Sequence, residues 1–104
     1  MTLEDIKALV IAIDPTAARY ESAKQRSESY TVWNETRMLG LMREDRHEPA
    51  WAFQIHHFTK RENDIMVGMI FAALEDDPRV AFEYLADYEP DTGYIHHIFS
   101  CEGV

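Results

Sequence analysis

The residues best suited to chemistry in this sequence are two pairs of adjacent histidines, His56-His57 and His96-His97. Imidazoles that meet from neighbouring strands can bind a transition metal. Successive residues of a strand point to opposite faces, so each pair places only one ring on each face. No Cys-x-x-Cys or His-Glu-x-x-His motif accompanies the pairs. The sequence therefore predicts ordinary sheet histidines, half of them facing solvent, and no metal site. A small metal-binding domain that uses one histidine of each pair stays open as an alternative.

The single cysteine and the carboxylates predict no catalytic site. Cys101 follows His97 by four residues, which on one strand separates them by about 13 Å at roughly 3.3 Å per residue. A nucleophile and its base need hydrogen-bond contact. The acidic run 75–77 closes a predicted helix, and other carboxylates flank a predicted turn. Phosphate-binding glycine loops and nucleophile-elbow motifs are absent from the sequence. We therefore predict no enzymatic activity, no catalytic residue and no cofactor.

Charge and composition narrow the class of partner. The chain has 104 residues, of which 10 are Lys or Arg and 19 are Asp or Glu, for a net charge of −9. Sequence-specific binding to nucleic acid and adhesion to an anionic membrane both depend on a basic surface, so we expect neither. A lone cysteine is typical of a reducing compartment, and the first residues lack the basic region of a signal peptide. We expect one soluble, cytosolic domain that spans residues 1–104.

The elements that position these residues follow from periodicity and turn signals. We predict helices over 3–13 and 64–77, strands over 29–35, 51–58, 79–89 and 94–102, and a turn at 90–93. Residues 16–27 read as a loop or a short edge strand. Residues 36–49 read as a hairpin tip or a long loop, within which residues 38–42 could form a strand. The order predicts an α+β fold: an antiparallel or mixed sheet of four to five strands with two helices packed on one face.

Two details of packing also follow from the sequence. The helix over 64–77 is apolar around a wide arc, which predicts that most of it is buried and that Gly68 marks a close contact. The last hairpin is expected to set Tyr88 opposite Tyr94 and Tyr84 near Ile98.

Candidate contact residues come from the aromatic side chains and from one arginine-bearing segment. Aromatics and arginine are enriched at protein interfaces. The aromatic candidates either fill one face of the sheet or lie in an interface; they are Trp33, Trp51, Tyr84, Tyr88 and Tyr94. Arg37, Arg43 and Arg46 lie in the segment 36–49 of an otherwise acidic chain, where their guanidinium groups could pair with carboxylates of a neighbouring subunit. The alternative is a solvated hairpin tip.

The order of motifs resembles a known family. A strand that reads Trp51-Ala-Phe-Gln-Ile55 precedes a helix that begins Asp64-Ile-Met-Val-Gly68, and the closing hairpin reads Tyr88-Glu-Pro-Asp-Thr-Gly-Tyr-Ile-His96. Over roughly residues 3–102 this order is similar to the tail-terminator and tail-completion proteins of long-tailed bacteriophages and prophages. In that family the strand and helix are followed by a hairpin whose turn often carries an acidic residue, Thr and Gly.

The resemblance implies a structural role and not a catalytic one. A member would form a ring, commonly a hexamer, that caps the tail tube and joins it to the head connector. Its partners would be copies of itself and phage tail-tube and head-completion proteins, and it would be found in the host cytoplasm during assembly and then in the virion tail. No residue-level site transfers from the family. A host-encoded cytosolic adaptor or regulatory protein with the same layout is the alternative.

Overall fold

The computed structural model describes residues 1–22, 27–40 and 50–104 with their side chains, and residues 42–43 and 46–47 as backbone. In chain order the elements are α1 Leu3–Ile13, β1 Ala18–Arg19, β2 Ser29–Met38, β3 Met42–Arg43, β4 Arg46–His47, β5 Trp51–Thr59, α2 Ile65–Asp76, β6 Val80–Glu89 and β7 Tyr94–Gly103. The short strand β1 lies within the segment expected to be a loop or edge strand, and β2 extends three residues beyond its predicted end at residue 35.

Helix α1 begins and ends where its sequence signals indicate. Thr2 Oγ1 accepts a hydrogen bond from the Asp5 amide at 3.1 Å, and Asp5 Oδ2 accepts one from the Thr2 amide at 2.8 Å. This reciprocal capping box satisfies amides that have no partner inside the helix. The helix ends before Pro15, which disfavours helical geometry at Asp14. The predicted bounds of 3–13 are confirmed.

Five strands form one mixed sheet in the order β1-β2-β5-β7-β6. All neighbours in it are antiparallel except β1, which runs parallel to β2. The short strands β3 and β4 pair separately with each other. The predicted fold class is confirmed: an α+β fold with a mixed sheet of five strands and two helices.

The main core lies between the helices and one face of the sheet, which we call the covered face. Its largest fully buried apolar side chains come from both helices and the two central strands: Ile6, Val10, Phe53, Ile55, Ile70, Leu74 and Phe99. The other face, which we call the open face, has a smaller cluster of Tyr30, Val32 and Tyr94 with Phe58 packed against it. The two helices therefore share one face, as predicted.

Helix α2 is less buried than its sequence predicts. Only Ile70 and Leu74 are buried, because the helix meets the core along a single stripe of residues four apart. Ile65 is 80% exposed and Met69 is 47% exposed. A Cβ added at Gly68 would meet nothing within 4 Å, so the predicted close contact at this glycine is wrong.

The register of the last hairpin differs by one residue from the prediction. Glu89 pairs with Tyr94, so Tyr88 faces Ile95 and Tyr84 faces Phe99. The cause is the turn: the Gly93 amide donates to the Glu89 carbonyl at 2.8 Å, and Gly93 adopts a positive φ of 77°. Closing the loop at Glu89 shifts every partner by one, and it places Tyr88 and Tyr94 on opposite faces.

The part of the chain that the structure describes contains no helix with the length and apolar character needed to span a membrane.

Candidate functional site

A buried polar network joins the covered face of the sheet to the start of α2. His57 is 1% exposed, and its Nε2 lies 2.9 Å from Oδ2 of Asp64. Ser29 donates to the same carboxylate oxygen at 2.8 Å, and Thr31 Oγ1 lies 2.7 Å from His57 Nδ1. Asp64 is also the N-cap of α2, where Oδ1 accepts from the Met66 amide at 2.9 Å. The network therefore holds α2 on the sheet.

The charge of Asp64 is stabilised inside this network. Burial opposes ionisation, but hydrogen bonds from His57, the Met66 amide, Thr59 and Ser29 outweigh it and hold the pKa of Asp64 below its ordinary value. Oδ2 accepts from His57 Nε2–H, so a neutral ring presents Nδ1 as an acceptor for the Thr31 hydroxyl.

The serine, histidine and aspartate of this network do not form a catalytic triad. In a triad the serine and the carboxylate bond to opposite ring nitrogens, so that the ring can take the serine proton. Here both Ser29 Oγ and Asp64 Oδ2 lie beside Nε2 of His57, at 3.1 Å and 2.9 Å. The His57 side chain is also buried. The arrangement serves packing and capping.

Each pair of adjacent histidines is split between the two faces of the sheet, as the sequence predicts. His56 and His96 lie on the open face, with His56 Nδ1 2.7 Å from His96 Nε2. His97 shares the covered face with His57, and its Nδ1 lies 2.6 Å from the Tyr84 hydroxyl. His57 and His97 are buried, whereas His56 and His96 are half-buried. Within residues 1–22, 27–40 and 50–104, no group of three or more His, Cys, Asp or Glu residues could hold a metal ion.

Cys101 lies in the core with its thiol directed to the Phe99 carbonyl at 3.5 Å. Burial raises the pKa of this thiol to about 12, so it is protonated at neutral pH. A protonated, buried thiol is a poor nucleophile.

The predicted contact residues have different surroundings. Arg37 is exposed and its Nη2 lies 3.8 Å from Glu102 Oε1 on the open face. Trp33 is 3% exposed in the core, with the Arg19 guanidinium 5.3 Å from its ring centroid. The tryptophan therefore fills the core, and its ring is not a surface group of this fold. The side chains of Arg43 and Arg46 lie outside the described residues.

The free edge of β6 is the longest open hydrogen-bonding surface among the described strands. Val104 donates to the Arg79 carbonyl at 3.0 Å, and Gly93 donates to the Glu89 carbonyl at 2.8 Å. In an antiparallel ladder, residues whose peptide groups face the partner alternate with residues whose groups face away. The odd-numbered residues of β6 therefore bond to β7. The even-numbered residues from Phe82 to Tyr88 direct their N–H and C=O groups towards the free edge.

Exposed apolar side chains surround this edge. On β6 they are Tyr84, Leu85 and Tyr88, and on α2 they are Ile65, Met69 and Phe71. Phe71 packs edge-on against Phe82 and Tyr84, with ring centroids 5.2 Å and 6.0 Å apart. The strand also carries acidic residues on the open face. It has no Lys and no Pro, and these two residue types are the ones that most often protect an edge strand from pairing.

The opposite edge of the sheet is closed at Val32 and Trp33, where β1 pairs with β2. Strand β1 has only two residues and is followed by Tyr20 at a positive φ of 69°, which turns the chain away from the sheet. Glu35 holds this turn through an ion pair with Arg19 and a 2.5 Å hydrogen bond from the Tyr20 hydroxyl. A left-handed tyrosine is costly and needs such support.

Neither a scan against protein-family models nor a search of curated proteins returned a match to this sequence.

Sequence reasoning missed the network around His57 and the length of the exposed edge. The alternation Ser29-x-Thr31-x-Trp33 was a usable signal, since it places two hydroxyls on the face of the buried tryptophan. The pairing of Thr31 with His57 required knowledge of which strands are neighbours.

Proposed function

We propose that this protein is a structural subunit that assembles with other protein chains through the free edge of β6. The observation that supports the proposal is a ten-residue edge strand whose outward peptide groups have no strand partner among the described residues and which exposes Leu85 and Tyr88. An added strand would satisfy these peptide groups and cover the apolar side chains at the same time. Among the described residues, the Cys101 thiol is buried and the Ser29 hydroxyl donates to the Asp64 carboxylate, so neither is placed as a nucleophile.

The charges on β6 disfavour an antiparallel pairing of two β6 strands from two copies of the chain. Glu83 and Asp87 lie on the open face of β6 and Arg37 lies on the open face of β2. Two β6 strands paired about Leu85 would set Glu83 of one copy opposite Asp87 of the other, and pairing about Tyr84 would set the two Glu83 side chains diagonally together. Like charges across a strand pair are destabilising.

A head-to-tail contact avoids this repulsion. The acidic β6 edge of one copy would meet the region around Arg37 of the next, with opposite charges in contact. A contact between two different surfaces repeats around a ring when its rotation closes. We therefore propose a head-to-tail homo-oligomer, to which Arg43 and Arg46 would add basic charge.

Light scattering after size exclusion tests this assembly over a range of protein concentrations. The wild-type chain is expected to form a multimer that loosens as salt rises. Ala86→Pro removes one outward amide from an edge position that tolerates proline and is expected to reduce association, whereas the matched control Ala86→Ser keeps the amide and should associate normally.

A mixing experiment separates head-to-tail from two-fold assembly. Ala86→Pro blocks the β6 surface and Arg37→Glu blocks the opposite surface, so each variant alone is expected to be a monomer. Mixed together, they retain one intact surface each and should form a dimer that does not grow further. A wild-type monomer at all concentrations, or variants that associate like the wild type, would refute the proposal. Two blocked variants that fail to combine would refute the head-to-tail form.

The finer form of the proposal comes from the sequence resemblance. The oligomer would be a tail-terminator or tail-completion ring that caps a phage tail tube, assembled in the host cytoplasm and retained in the virion tail. Purified protein is then expected to bind tail-tube polymers and stop their elongation. Pull-down from the native host separates this role from that of a host adaptor: it should return virion proteins in the first case and a cytosolic enzyme or regulator in the second.

A further inference from the structure

The side of α2 that points away from the sheet is apolar, and nothing in the described part of the chain covers it. Ile70 and Leu74 mark the buried side of the helix. At about 100° per residue, four exposed residues lie on the opposite side, which we call the outer face: Ile65, Gly68, Met69 and Ala72. Ile65 is the most exposed large apolar side chain among the described residues.

Strand addition at β6 does not account for the outer face. The side of α2 nearest that strand is marked by Phe71, whose ring packs against Phe82 and Tyr84. The outer face is turned away from the sheet, so a strand added in the plane of the sheet would leave it exposed. Apolar side chains that are exposed together, in contrast to scattered single ones, mark a surface of interaction.

The charges at the two ends of α2 fit a second copy of the same helix in antiparallel orientation. The exposed residues 60–62, just before the helix, are two basic residues and one acidic residue, whereas residues 75–77 at its end are all acidic. Arg61 Nη2 lies 3.5 Å from Glu28 Oε2 in an exposed ion pair, which holds the guanidinium only weakly. An antiparallel pair sets the basic segment of each copy beside the acidic end of the other, with opposite charges in contact. A parallel pair would set the two acidic ends together.

We propose that two copies of this chain pack the outer faces of their α2 helices against each other, antiparallel, about a two-fold axis next to Met69. In this arrangement Ile65 of each copy lies over Ala72 of the other, where the small methyl group leaves room for the larger side chain. The two Met69 side chains meet beside the axis. Gly68 lets the helices approach closely, since a Cβ there would meet nothing within 4 Å among the described residues. A glycine that lowers helix propensity without a close contact inside the chain thereby acquires a packing role.

The contact is small and goes beyond the proposed function. The outer face is much smaller than a standard interface, which has about 20–30 residues a side. Free chains therefore stay monomeric at the micromolar concentrations used for light scattering. In a head-to-tail ring, several copies of the face would act together and gain from multivalency, and the two-fold contact would join two rings in a dihedral assembly. That second step rests on the proposed function, whereas the contact between two α2 helices does not.

Disulfide trapping between Ile65→Cys and Ala72→Cys tests the contact, with both changes made in the Ala86→Pro chain so that the β6 surface is blocked. One variant is labelled with ¹⁵N, and mass spectrometry then distinguishes mixed dimers from self dimers. In the antiparallel pair the two cysteines face each other, within the roughly 4.4–6.8 Å between Cα atoms that a disulfide spans. Each cysteine is offset from its own copy by about 10.5 Å along the helix, seven residues at roughly 1.5 Å. Mixed dimers are therefore expected, and self dimers are not.

Two controls set the background rate. The Ala86→Pro chain without an added cysteine retains only the buried Cys101 and should not cross-link. Ile11→Cys places a thiol on α1 at another exposed isoleucine, and its mixture with Ala72→Cys should cross-link at least ~10-fold more slowly than the test mixture, because no contact raises the effective concentration.

A charge exchange tests the direction of the helices. Arg61→Glu on the Ile65→Cys chain should slow the mixed cross-link, and Asp76→Arg on the Ala72→Cys chain should restore it, since opposite charges are then in contact again.

Two results would overturn the proposal. Self dimers that form as fast as mixed dimers would indicate a parallel contact. A mixed rate no faster than the Ile11→Cys control, while every added thiol still reacts with a maleimide, would assign the outer face to a partner other than a second copy. Circular dichroism of each variant shows whether the fold is kept. Because the β6 surface is blocked throughout, this contact and the proposed β6 assembly can each fail without the other.

Discussion

The two faces of the sheet use the same residue type in different ways. On the covered face, the start of α2 brings Asp64 to within 2.9 Å of His57, and two hydroxyls lie beside the same ring. On the open face, no helix lies above His56 and His96, and the two imidazoles contact each other at 2.7 Å. Histidines adjacent in sequence therefore differ in role because a covering element reaches only one of them. The covered pair stabilises the fold, and the open pair stays partly exposed to solvent.

The largest effect is expected from removal of the Asp64 carboxylate. Asp64→Ala deletes the N-cap of α2 and leaves His57 and Ser29 without their acceptor, which should lower the free energy of unfolding by about 2–4 kcal/mol. Asp64→Asn keeps the cap and should cost less. Asp76→Ala, at the exposed C-terminal end of the same helix, is the control and should be neutral or slightly stabilising. Urea unfolding measures all three; equal effects at both ends of α2 would contradict the assigned role of Asp64.

The second prediction concerns acid sensitivity. Burial, together with the charge of neighbouring His96, lowers the pKa of His56 to about 4 from an ordinary value of 6.5. The unfolded chain therefore binds a proton at higher pH than the folded chain, and stability should fall as pH drops from about 6.5 towards 4. His96 and His97 have pKa values lowered in the same direction.

Thermal melts between pH 7.5 and 4.5 test this sign. His56→Gln should flatten the loss of stability in part, because the other two histidines still contribute. Below about pH 4, the loss of stability is expected to come from Asp64. Because the pKa of Asp64 is lowered in the folded state, the ionised carboxylate stabilises the fold above the ordinary carboxylate pKa, and this stabilisation is lost as the pH falls further. An unchanged pH profile in His56→Gln would show that the open-face ring is not what titrates.

A smaller effect is expected at Gly68. A Cβ there meets nothing within 4 Å, so Gly68→Ala should gain helix propensity without a clash and stabilise by up to about 1 kcal/mol. The melting temperature should rise by roughly 4–8 °C per kcal/mol for a domain of this size. Gly93→Ala is the control, since its φ of 77° disfavours a side chain and should make this variant less stable. Destabilisation by Gly68→Ala would mean that another element packs on this side of α2.

The smallest effect on the monomer is expected at Leu85. This side chain is 62% exposed on the open face of β6, so Leu85→Lys should change the free energy of unfolding by less than about 0.5 kcal/mol. Its cross-strand partner Ile98 is the control: Ile98→Lys places a charge in the half-buried middle of the sheet and should cost more. If Leu85→Lys and Ile98→Lys lower the free energy of unfolding by the same amount in dilute solution, Leu85 would be as buried as Ile98, and β6 would not be an open edge.

Local signals in the sequence predicted most of the elements. Thr2 caps α1, Pro15 ends the helix, and the Pro90–Gly93 turn joins two strands. Each signal acts between residues a few positions apart, so no tertiary knowledge is needed to interpret it. The same holds for the split of each histidine pair between two faces, because side-chain alternation is a property of a single strand.

The tertiary structure decided what surrounds each element. Trp33 is buried because α1 and Arg19 cover it, and α2 is exposed on one side because nothing described packs there. The register of the last hairpin depended on the conformation of the four turn residues 90–93. A shift of one residue in this turn changed the cross-strand partner of every residue in β6. Apolar periodicity measures what a helix or strand could bury, whereas burial depends on which element lies opposite. The sequence by itself thus determined the helices, most strands and the α+β class; only the fold decided that Asp64 meets His57, that His56 meets His96, and that β6 is left as an open edge.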